Sequence, residues 1–408
     1  MKRKYNLVLG SNFGDEGKGQ TCYNLARPFK SCLSILTNGG CQRGHTVVDD
    51  NNKRHVFQHF GSSTRSDLDY NYFSRKFILN PIMFKIEYED LVEKGIISSD
   101  YKKIWFNNQC IFTTPFDMMA NQIYELNRGE NRHGSTGLGI FVTIARYREM
   151  HNFDLMKESD GAALSFASFM SRYTYEEAED YLNEIRNYYL ESFKKLNIKL
   201  EETDYFKPFM AKFTIEHFLE DCQFMYKKMT VLPADSNILY EPEIENNCNS
   251  VIFENGQGLL LNCDETNVHT TPSCTDINYV VDALSKDKKS EDEIELNIYY
   301  ITRPYITRHG AGPVNSKKLE DFKSDDKTNI PNPWQGTIQY YELNINNLKE
   351  RLIKSYALCS NYINESFKCI PNLVITHNDE MDREEEFRAA FKDSAWNLIF
   401  DRNKQIAG

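Results

Sequence analysis

Short apolar runs that end in glycine-rich turns recur along most of the chain, and their length and composition are typical of buried strands. Such runs begin at Tyr5, Cys32 and Ser250, and further strand patterns lie at residues 55–60, 76–80, 102–112 and 294–301. The pattern of residues 81–95 is helical and lies among them. Strands that alternate with helices favour an α/β fold, which we predict as one large domain over residues 1–408.

Residues 155–230 carry a different pattern, rich in Tyr, Phe, Glu and Lys at helical spacing. This periodicity predicts two or three amphipathic helices that cover one face of the molecule. We expect a helical subregion at about 150–232. Its aromatic side chains are typical of core packing, so we assign them no chemistry.

Composition narrows the class of protein. With 40% hydrophobic and 26% charged residues, the chain is typical of a soluble globular protein. No apolar run reaches the ~18 residues of a membrane span, and the one after the N-terminal Lys-Arg-Lys is too short for a signal peptide. Ten cysteines without a CxxC pair indicate reduced thiols and a cytoplasmic location. The net charge of −11 argues against nucleic acid as a partner, while small anions remain compatible with a local positive pocket.

The turn after the first strand, residues 10–20, reads GSNFGDEGKGQ and carries the strongest chemical signal. Closely spaced glycines let the main chain curl so that successive N–H groups point at one anion, and Lys18 adds a positive charge. The helix pattern from Thr21 adds an N-terminus that favours phosphate. Because Asp15 and Glu16 lie within this positive loop, we expect a metal ion, a proton to be removed, or both.

Three further turns place reactive side chains directly after strand patterns or between glycines. Residues 37–46 hold His45, residues 131–139 hold two hydroxyls beside glycines, and Gln257 follows the strand that begins at Ser250. Each signal is weak alone, because a single His is more often structural and hydroxyls beside glycines are common in turns.

Five ordered motifs nevertheless resemble those of the adenylosuccinate synthetase family, which joins IMP and aspartate at the expense of GTP. Residues 14–19 match the family's Gly-Asp-Glu-Gly-Lys-Gly without a change, while Asn12 and Phe13 replace its Gln-Trp. Residues 42–46 resemble the family's Asn-Ala-Gly-His-Thr, and residues 134–139 resemble its Gly-Thr-Thr-Gly-Arg-Gly. Residues 253–261 resemble its Phe-Glu-Gly-Ala-Gln-Gly-Thr-Leu-Leu, and residues 307–313 resemble its Thr-Arg-Val-Gly-Ala-Gly-Pro. The resemblance implies a large mixed, mostly parallel central sheet flanked by helices, and a homodimer.

The resemblance also implies a reaction, in which a 6-oxo purine accepts a γ-phosphoryl group and an amine then displaces the phosphate. Asp15 would remove the N1 proton of the purine. His45 would stabilise charge on the transferring group or the 6-oxygen, and Gln257 would orient the base. Mg²⁺ is the implied cofactor, with Asp15 and Gly44 as its protein ligands.

Further residues are implied as substrate ligands. Those for the nucleoside triphosphate donor are Gly14, Glu16, Gly17, Lys18, Gly19, Gly44, Thr46, Thr376 and Asp379. Those for the purine monophosphate are Asn38, Gln42, Ser135, Thr136, Arg146, Arg148, Gly258, Leu261, Thr271, His309 and Gly310, with Thr270 as an alternative to Thr271. One of Arg146 and Arg148 would reach the phosphate in the partner subunit, and the spacing does not choose between them.

The amino-acid site departs most from the family, whose arginine-rich loop grips aspartate. Residues 326–340 contain no Arg, and losing such a charged fork costs roughly 2–5 kcal/mol unless another cation replaces it. Aspartate and another amino acid therefore both stay open. The expected ligands are Thr328, Asn329, Gln335, Gly336 and Arg308, and the candidate replacement cations are Lys327, Arg303 and Arg43.

The two nucleotides stay open as well. Residues 376–379 keep the Thr and Asp of the family's guanine-reading Thr-Lys-Leu-Asp, but His377 replaces its Lys, so GTP and ATP or dATP are all possible donors. Viral relatives act on dGMP, which leaves IMP, GMP and dGMP as acceptors and an infected host's cytoplasm as a possible location. Those relatives often lose the loop Asp, whereas Asp15 is present here.

Two other classes of protein remain as alternatives. One is a purine-nucleotide-binding homologue without activity, which the altered segment 326–340 favours. The other is a simple P-loop NTPase or kinase, which Asn12 and Gly19 disfavour because a Walker A motif has Gly and Ser or Thr there. Asp15, Lys18 and His45 together favour an enzyme over the first alternative.

Overall fold

The protein is described here by a computed structural model that covers residues 3–155, 164–263, 269–271, 273, 275–287, 293–324, 331 and 333–401. Its strands are β1 (Lys4–Gly10), β2 (Cys32–Leu36), β3 (His45–Val48), β4 (Arg54–Phe57), β5 (Tyr70–Phe73), β6 (Ile104–Asn107), β7 (Thr230–Leu232), β8 (Ser250–Gly258), β9 (Ile294–Thr302), β10 (Tyr305–Arg308), β11 (Gln339–Glu342), β12 (Phe367–Ile375) and β13 (Asn397–Phe400). Its helices are α1 (Lys18–Ala26), α2 (Pro81–Glu93), α3 (Pro115–Arg128), α4 (Ile140–His151), α5 (Phe166–Arg172), α6 (Tyr175–Lys195), α7 (Phe206–Met210), α8 (Lys212–Lys228), α9 (Pro242–Asn247), α10 (Asn278–Asp287), α11 (Ile345–Ala357) and α12 (Glu384–Phe391).

A nine-stranded sheet forms the centre of this described part, in the order β13-β12-β9-β1-β8-β2-β5-β6-β7. Every pairing in it is parallel. The predicted large, mostly parallel sheet is thus confirmed, and the antiparallel pairs β3–β4 and β10–β11 lie in two separate ribbons. Every residue of β2 and nearly every residue of β8 is buried, as expected for strands covered on both faces.

Helices cover both faces of the sheet. On β1, Leu7 and Leu9 belong to one apolar cluster with α10, α11 and α12, whereas Val8 belongs to another with Cys22 and Ala26 of α1. Side chains alternate across a strand, so this division places α1 on the face opposite α11 and α12. The largest core lies at the other end of the sheet, where β5 and β6 meet α2, α3, α5, α6 and α8.

Helices α5 to α8 occupy the stretch for which the sequence predicts amphipathic helices. The longest, α6, begins at a capping box in which Thr174 accepts from the Glu177 N–H while the Glu177 carboxylate accepts from the Thr174 N–H. Its buried positions include Tyr181, Ile185 and Tyr189, spaced four residues apart. The division into one domain with a helical subregion stays a prediction.

The strand predicted at residues 76–80 is wrong. Ile78 N–H donates to Gly39 O at 2.7 Å and Leu79 N–H to Ile111 O at 2.9 Å, but these contacts are single bridges and no ladder forms. The chain leaves the sheet there because the Asn80 side chain caps α2, accepting from Met83 N–H at 3.1 Å with Pro81 at the first helical position. The sheet uses Tyr70–Phe73 instead.

The fold brings the predicted motifs to one edge. In a parallel sheet the carboxyl ends of all strands meet at one edge, and β2, β8, β1, β9 and β12 are successive neighbours in it. The loops that follow β2, β8, β1, β9 and β12 begin at residues 37, 259, 11, 303 and 376, respectively. Segments separated by hundreds of residues therefore face one another there.

Candidate active site

Two adjoining cavities lie at this edge. The smaller, about 120 Å³, is lined by residues 13–19, residues 42–46 and Arg303. The larger, about 750 Å³, is lined by Ser135, Thr271, Arg308 and side chains of α3, α4 and α6. The residues that line both are Gln42, Thr136, Gln257, Leu261, His309 and Gln335. The edge thus offers a compact polar chamber that opens into a wider cleft.

Three residues of the glycine-rich loop 10–17, which leads into α1, have a positive φ, among them Gly14 at 110°. Gly17, the N-cap of α1, has φ 92°, and Asp15 has φ 54° without being glycine. Such a conformation is uncommon for Asp and is frequent at functional sites, where neighbouring contacts hold it. The Thr376 hydroxyl donates to Glu16 O at 2.7 Å, and the Thr307 hydroxyl donates to Gly14 O at 3.0 Å. β12 and β10 therefore fix the loop from two sides.

His45 packs directly against the start of α1. A Cβ atom at Gly19 would lie 2.8 Å from the His45 carbonyl carbon, so only glycine permits this approach. His45 Nδ1 lies 2.5 Å from Glu254 Oε1. Ser62 donates to the same carboxylate through its N–H at 2.8 Å and its hydroxyl at 2.6 Å, and Arg43 Nη1 lies 3.8 Å from it. The imidazole is therefore oriented by a carboxylate that is itself held in place.

The charge state of this pair follows from burial and contact. Burial lowers the pKa of His45 to about 4, although the hydrogen bond and charge of Glu254 oppose it. Burial alone would raise the pKa of Glu254, but the hydrogen bond from His45 and the charge of Arg43 outweigh it and lower the pKa to about 2. Near neutral pH the pair is thus a neutral imidazole that donates Nδ1–H to an ionised carboxylate.

Glu16 lies beneath the loop rather than in contact with solvent. Its Oε1 accepts from Asn12 N–H at 2.8 Å and from the Asn12 side-chain amide at 2.6 Å. Arg351 on α11 donates to Asn12 Oδ1 at 2.5 Å and to Ser11 O at 2.8 Å. Burial raises the pKa of Glu16 to about 7, against the opposing charge of Lys18. A chain of hydrogen bonds thus joins the loop to α11.

Gln257 also has a left-handed backbone, with φ 62°, in the wall between the two cavities. The preceding residue is fixed by Asn38, whose Oδ1 accepts from Gly256 N–H at 2.8 Å. Gln257 Oε1 is buried and has no hydrogen-bond partner among the described residues. It is therefore an amide held in position with a polar atom available to a ligand.

The larger cleft gathers several predicted purine ligands. Ser135 exchanges hydrogen bonds with Asn121 at 2.9 and 3.2 Å, and Thr271 N–H donates to Leu261 O at 2.9 Å. His309 Nε2 lies 3.2 Å from Gly336 O. The predicted site residues that lie in the described part of the chain but line neither cavity are Asn38, Arg146, Arg148, Gly258, Gly310, Gly336, Thr376 and Asp379.

The two arginine candidates differ sharply in environment. Arg146 is fully buried and forms a bidentate ion pair with Asp117, at 2.8 and 3.0 Å, so it does not reach either cavity. Arg148 has a side chain that is 38% exposed and lies 3.3 Å from Asp154. Only Arg148 of the two therefore approaches the surface.

The remaining predicted residues are partly outside the described chain. Thr328, Asn329 and the candidate cation Lys327 lie outside the described residues. Arg43 is buried and donates to Gln58 O at 3.0 Å. Its Nη1 lies 3.8 Å from Glu254 Oε1, so its charge stabilises that carboxylate. Asp379 is exposed at the end of the loop after β12.

Sequence reasoning missed two residues of this site. Glu254 stands within a quoted motif but received no role, although a carboxylate directly after a buried apolar run is itself a signal. Arg351 lies on a helix with ordinary amphipathic spacing, and nothing in its local sequence distinguishes it from a surface arginine.

The residues of the small chamber fit a magnesium ion bound mainly by substrate. No group of three or more His, Cys, Asp or Glu side chains in the described residues forms a metal site. Mg²⁺ usually takes one or two carboxylates, with substrate phosphates and water as its other ligands. Asp15 and the Gly44 backbone line one chamber and match that limited donor set.

The fold and these loops define an α/β protein of the class that binds its ligands at the carboxyl edge of a parallel sheet. The chain belongs to the adenylosuccinate synthetase family, whose family model matches residues 7–330. No helix among the described residues is long and apolar enough to cross a membrane.

Similar proteins agree with this assignment. An adenylosuccinate synthetase of Lactobacillus acidophilus is 26% identical over 315 residues, which cover 77% of this chain and 65% of that protein. The chain therefore matches slightly less than two thirds of that relative's length. The fully ligated adenylosuccinate synthetase of Plasmodium falciparum has a TM-score of 0.65 at 17% identity, covering 93% of this chain and 78% of the other. The succinoaminodeoxyadenylate synthetase (PurZ) of cyanophage S-2L, bound to dGMP and dATP, has a TM-score of 0.57 at 12% identity, covering 98% and 92%.

Proposed function

We propose that this protein is a purine nucleotide ligase. It transfers the γ-phosphoryl group of a nucleoside triphosphate to the 6-oxygen of a purine nucleoside monophosphate, and the amino group of an amino acid then displaces phosphate at C6. One observation carries the proposal: Asp15, Lys18, His45 and Gln257 line a single small chamber at the carboxyl edge of the sheet.

The roles follow from chemistry. Asp15 accepts the N1 proton of the purine, which makes the 6-oxygen nucleophilic, and this oxygen attacks the γ-phosphorus as the nucleoside diphosphate leaves. Lys18 and the N–H groups of the glycine loop hold the phosphates. Gln257 orients the base through its amide.

The role of His45 depends on its contact with Glu254. Its Nδ1–H is committed to Glu254, so Nε2 donates only after taking up a proton. Phosphate charge in the chamber would raise the pKa of His45 and favour that proton, because a nearby negative charge stabilises the imidazolium. The imidazolium then donates Nε2–H to the transferring group or the 6-oxygen.

Asp15 and the Gly44 carbonyl would hold Mg²⁺ together with substrate. The ion, when bound, supplies positive charge that neutralises the phosphates. This assignment needs only the two donors that line the chamber.

The larger cleft is proposed as the purine monophosphate site, with Ser135, Thr136 and Thr271 beside the phosphate. Arg148 is the better candidate for the arginine that crosses to a second subunit, because Arg146 is committed to Asp117. We therefore propose a homodimer. The cytoplasm stays the expected location.

The nucleotide pair has two candidates. IMP with GTP and aspartate is the reaction implied by the family. dGMP with dATP or ATP, giving a 2-amino-deoxyadenylosuccinate, is the alternative suggested by the phage enzyme, which was bound to dGMP and dATP and whose structural alignment covers 98% of this chain.

A substrate matrix tests the proposal. Purified protein is incubated with IMP, GMP or dGMP, with GTP, ATP or dATP, and with a panel of amino acids that includes aspartate. Phosphate release and product mass are then measured. We expect one combination to give a succinyl-type adduct, with phosphate release that depends on the purine monophosphate. Nucleotide binding without phosphate release would indicate an inactive homologue, and hydrolysis that does not require the monophosphate would indicate an NTPase.

A further inference from the structure

One cation of the small chamber, so far named only as a candidate replacement for the family's arginine-rich loop, is Arg303. Arg303 directly follows β9 and is 3% exposed, yet it lines the chamber that also contains Asp15, Lys18 and His45. Because β9 is the neighbour of β1 in the sheet, Arg303 approaches the glycine loop from the strand beside it.

Two hydroxyl groups are among the contacts of Arg303. Its Nη1 donates to the Tyr305 hydroxyl at 3.0 Å and to the Ser324 hydroxyl at 3.4 Å. The guanidinium carbon also lies 5.7 Å from the centre of the Tyr305 ring. A planar guanidinium restrained by contacts of this kind keeps a defined orientation in the chamber wall.

A carboxylate lies behind those hydroxyls. Glu380 accepts from the Tyr305 hydroxyl through one oxygen and from the Ser324 hydroxyl at 2.9 Å through the other. Both hydroxyl protons are thereby directed at Glu380, which leaves their oxygen lone pairs facing Arg303. Glu380 belongs to the loop after β12, next to the predicted donor-base residue Asp379. The network therefore connects the loop after β12 to Arg303 in the small chamber.

We propose that Arg303 is a further substrate-binding residue, which binds anionic oxygens in the small chamber, and that Glu380 is the positioning residue that orients it through Tyr305 and Ser324. The inference rests on the proposed function, since it assigns a ligand to the same chamber. A guanidinium pairs with phosphate and carboxylate through the same two-pronged geometry. The ligand is therefore either a phosphate of the triphosphate donor or a carboxylate of the amino acid.

Three variants and a control test the assignment. Arg303→Met removes the charge, Arg303→Lys keeps it without the fork, and Glu380→Gln removes the charge behind the hydroxyls. Arg388→Met on α12 is the matched control, because its side chain is 59% exposed and pairs with Glu384 at the surface. For each variant, KM and kcat are measured for every substrate, along with the thermal stabilisation given by a non-hydrolysable triphosphate or by the amino acid.

We expect Arg303→Met to raise one KM by about 10- to 100-fold, the effect of losing one charge-assisted hydrogen bond. A rise confined to the triphosphate identifies phosphate, and a rise confined to the amino acid identifies its carboxylate. Arg303→Lys should recover part of the loss, and Glu380→Gln should raise the same KM by a smaller factor. Arg388→Met should change nothing.

Unchanged constants and unchanged ligand stabilisation in Arg303→Met would overturn the proposal, as would an equal rise for all substrates. If Arg303→Met does not fold, the same comparison is made with Arg303→Lys and Glu380→Gln. A wild-type protein that ligates no substrate combination would refute the ligase function, but the thermal stabilisation by the triphosphate and by the amino acid would still test Arg303.

Discussion

His45 and Glu254 form a buried pair in which Nδ1 of the imidazole lies 2.5 Å from Oε1 of the carboxylate. The two residues are far apart in the chain and meet because β2 and β8 are parallel neighbours, with the segment that carries His45 following β2. The Ser62 N–H and hydroxyl fix the carboxylate independently. This arrangement selects the neutral tautomer of His45 in which Nδ1 carries the proton, on a residue that lines the chamber.

Replacing Glu254 should therefore lower the turnover that depends on His45 while nucleotide binding is kept. In Glu254→Gln the amide oxygen can still accept from Nδ1–H, but the negative charge that stabilises an imidazolium is removed. We expect kcat to fall about 10²- to 10⁴-fold, the range for loss of general acid–base catalysis, with little change in nucleotide binding. Phosphate release and isothermal titration measure the two effects. A variant with more than a tenth of wild-type kcat would contradict the role of the pair.

Asp15→Asn should abolish turnover while nucleotide binding is kept. Asn tolerates the left-handed backbone of position 15, φ 54°, so the loop keeps its shape while the base is lost. Phosphate release should drop below a tenth of the wild-type rate, and nucleotide affinity by titration should change by only a few-fold. The exposed acid Asp379 offers a comparison: Asp379→Asn should affect the donor KM rather than kcat.

Arg351→Met should loosen the glycine loop. The substitution removes the donors to Ser11 O and Asn12 Oδ1, and buried acceptors left unpaired cost about 1–3 kcal/mol. The free energy of unfolding from urea titration should fall by that amount, and the KM for the triphosphate should rise. Lys354→Met, on an exposed position of the same helix, is the control and should leave both quantities unchanged. Equal behaviour of the two variants would show that Arg351 does not support the loop.

His59 should make the fold sensitive to mild acid. Its ring packs edge-on against Phe73, Phe77 and Phe84, and its Nε2 accepts from Asn80 N–H at 3.1 Å. Burial, with the nearby charge of Arg43, lowers the pKa of His59 well below its ordinary value of 6.5. The unfolded chain binds a proton below pH 6.5 and the folded protein does not, so stability falls as pH falls.

The expected loss is about 1.4 kcal/mol for each pH unit below that value. His59→Gln keeps an acceptor for Asn80 but does not titrate, so its unfolding free energy should depend less steeply on pH between 6.5 and 5. The exposed His217 provides the control, and His217→Gln should keep the wild-type slope. Identical slopes for wild type and His59→Gln would contradict the assignment.

Much of the fold followed from local patterns. The strands predicted from Tyr5, Cys32, Ser250 and Ile294 are confirmed, because short runs rich in apolar residues are typical of strands buried in a parallel sheet. Residues 76–80 misled because their composition is that of a strand, whereas Asn80 and Pro81 form a helix start. Tyr70–Phe73 was missed because Asn71 interrupts it, and that side chain is buried with the hydroxyls of Thr64 and Tyr101 as partners.

The amino-acid sequence was enough to locate the glycine-rich turn at residues 14–19, because the glycine spacing and Lys18 are local features. It also determined the family, because five short motifs kept their order. Which side chains contact one another depended on the three-dimensional arrangement of the strands and helices. The order of the strands brings His45 to Glu254, and the packing of α11 brings Arg351 to Asn12. Local periodicity predicts neither contact, because each depends on which elements become neighbours in the fold.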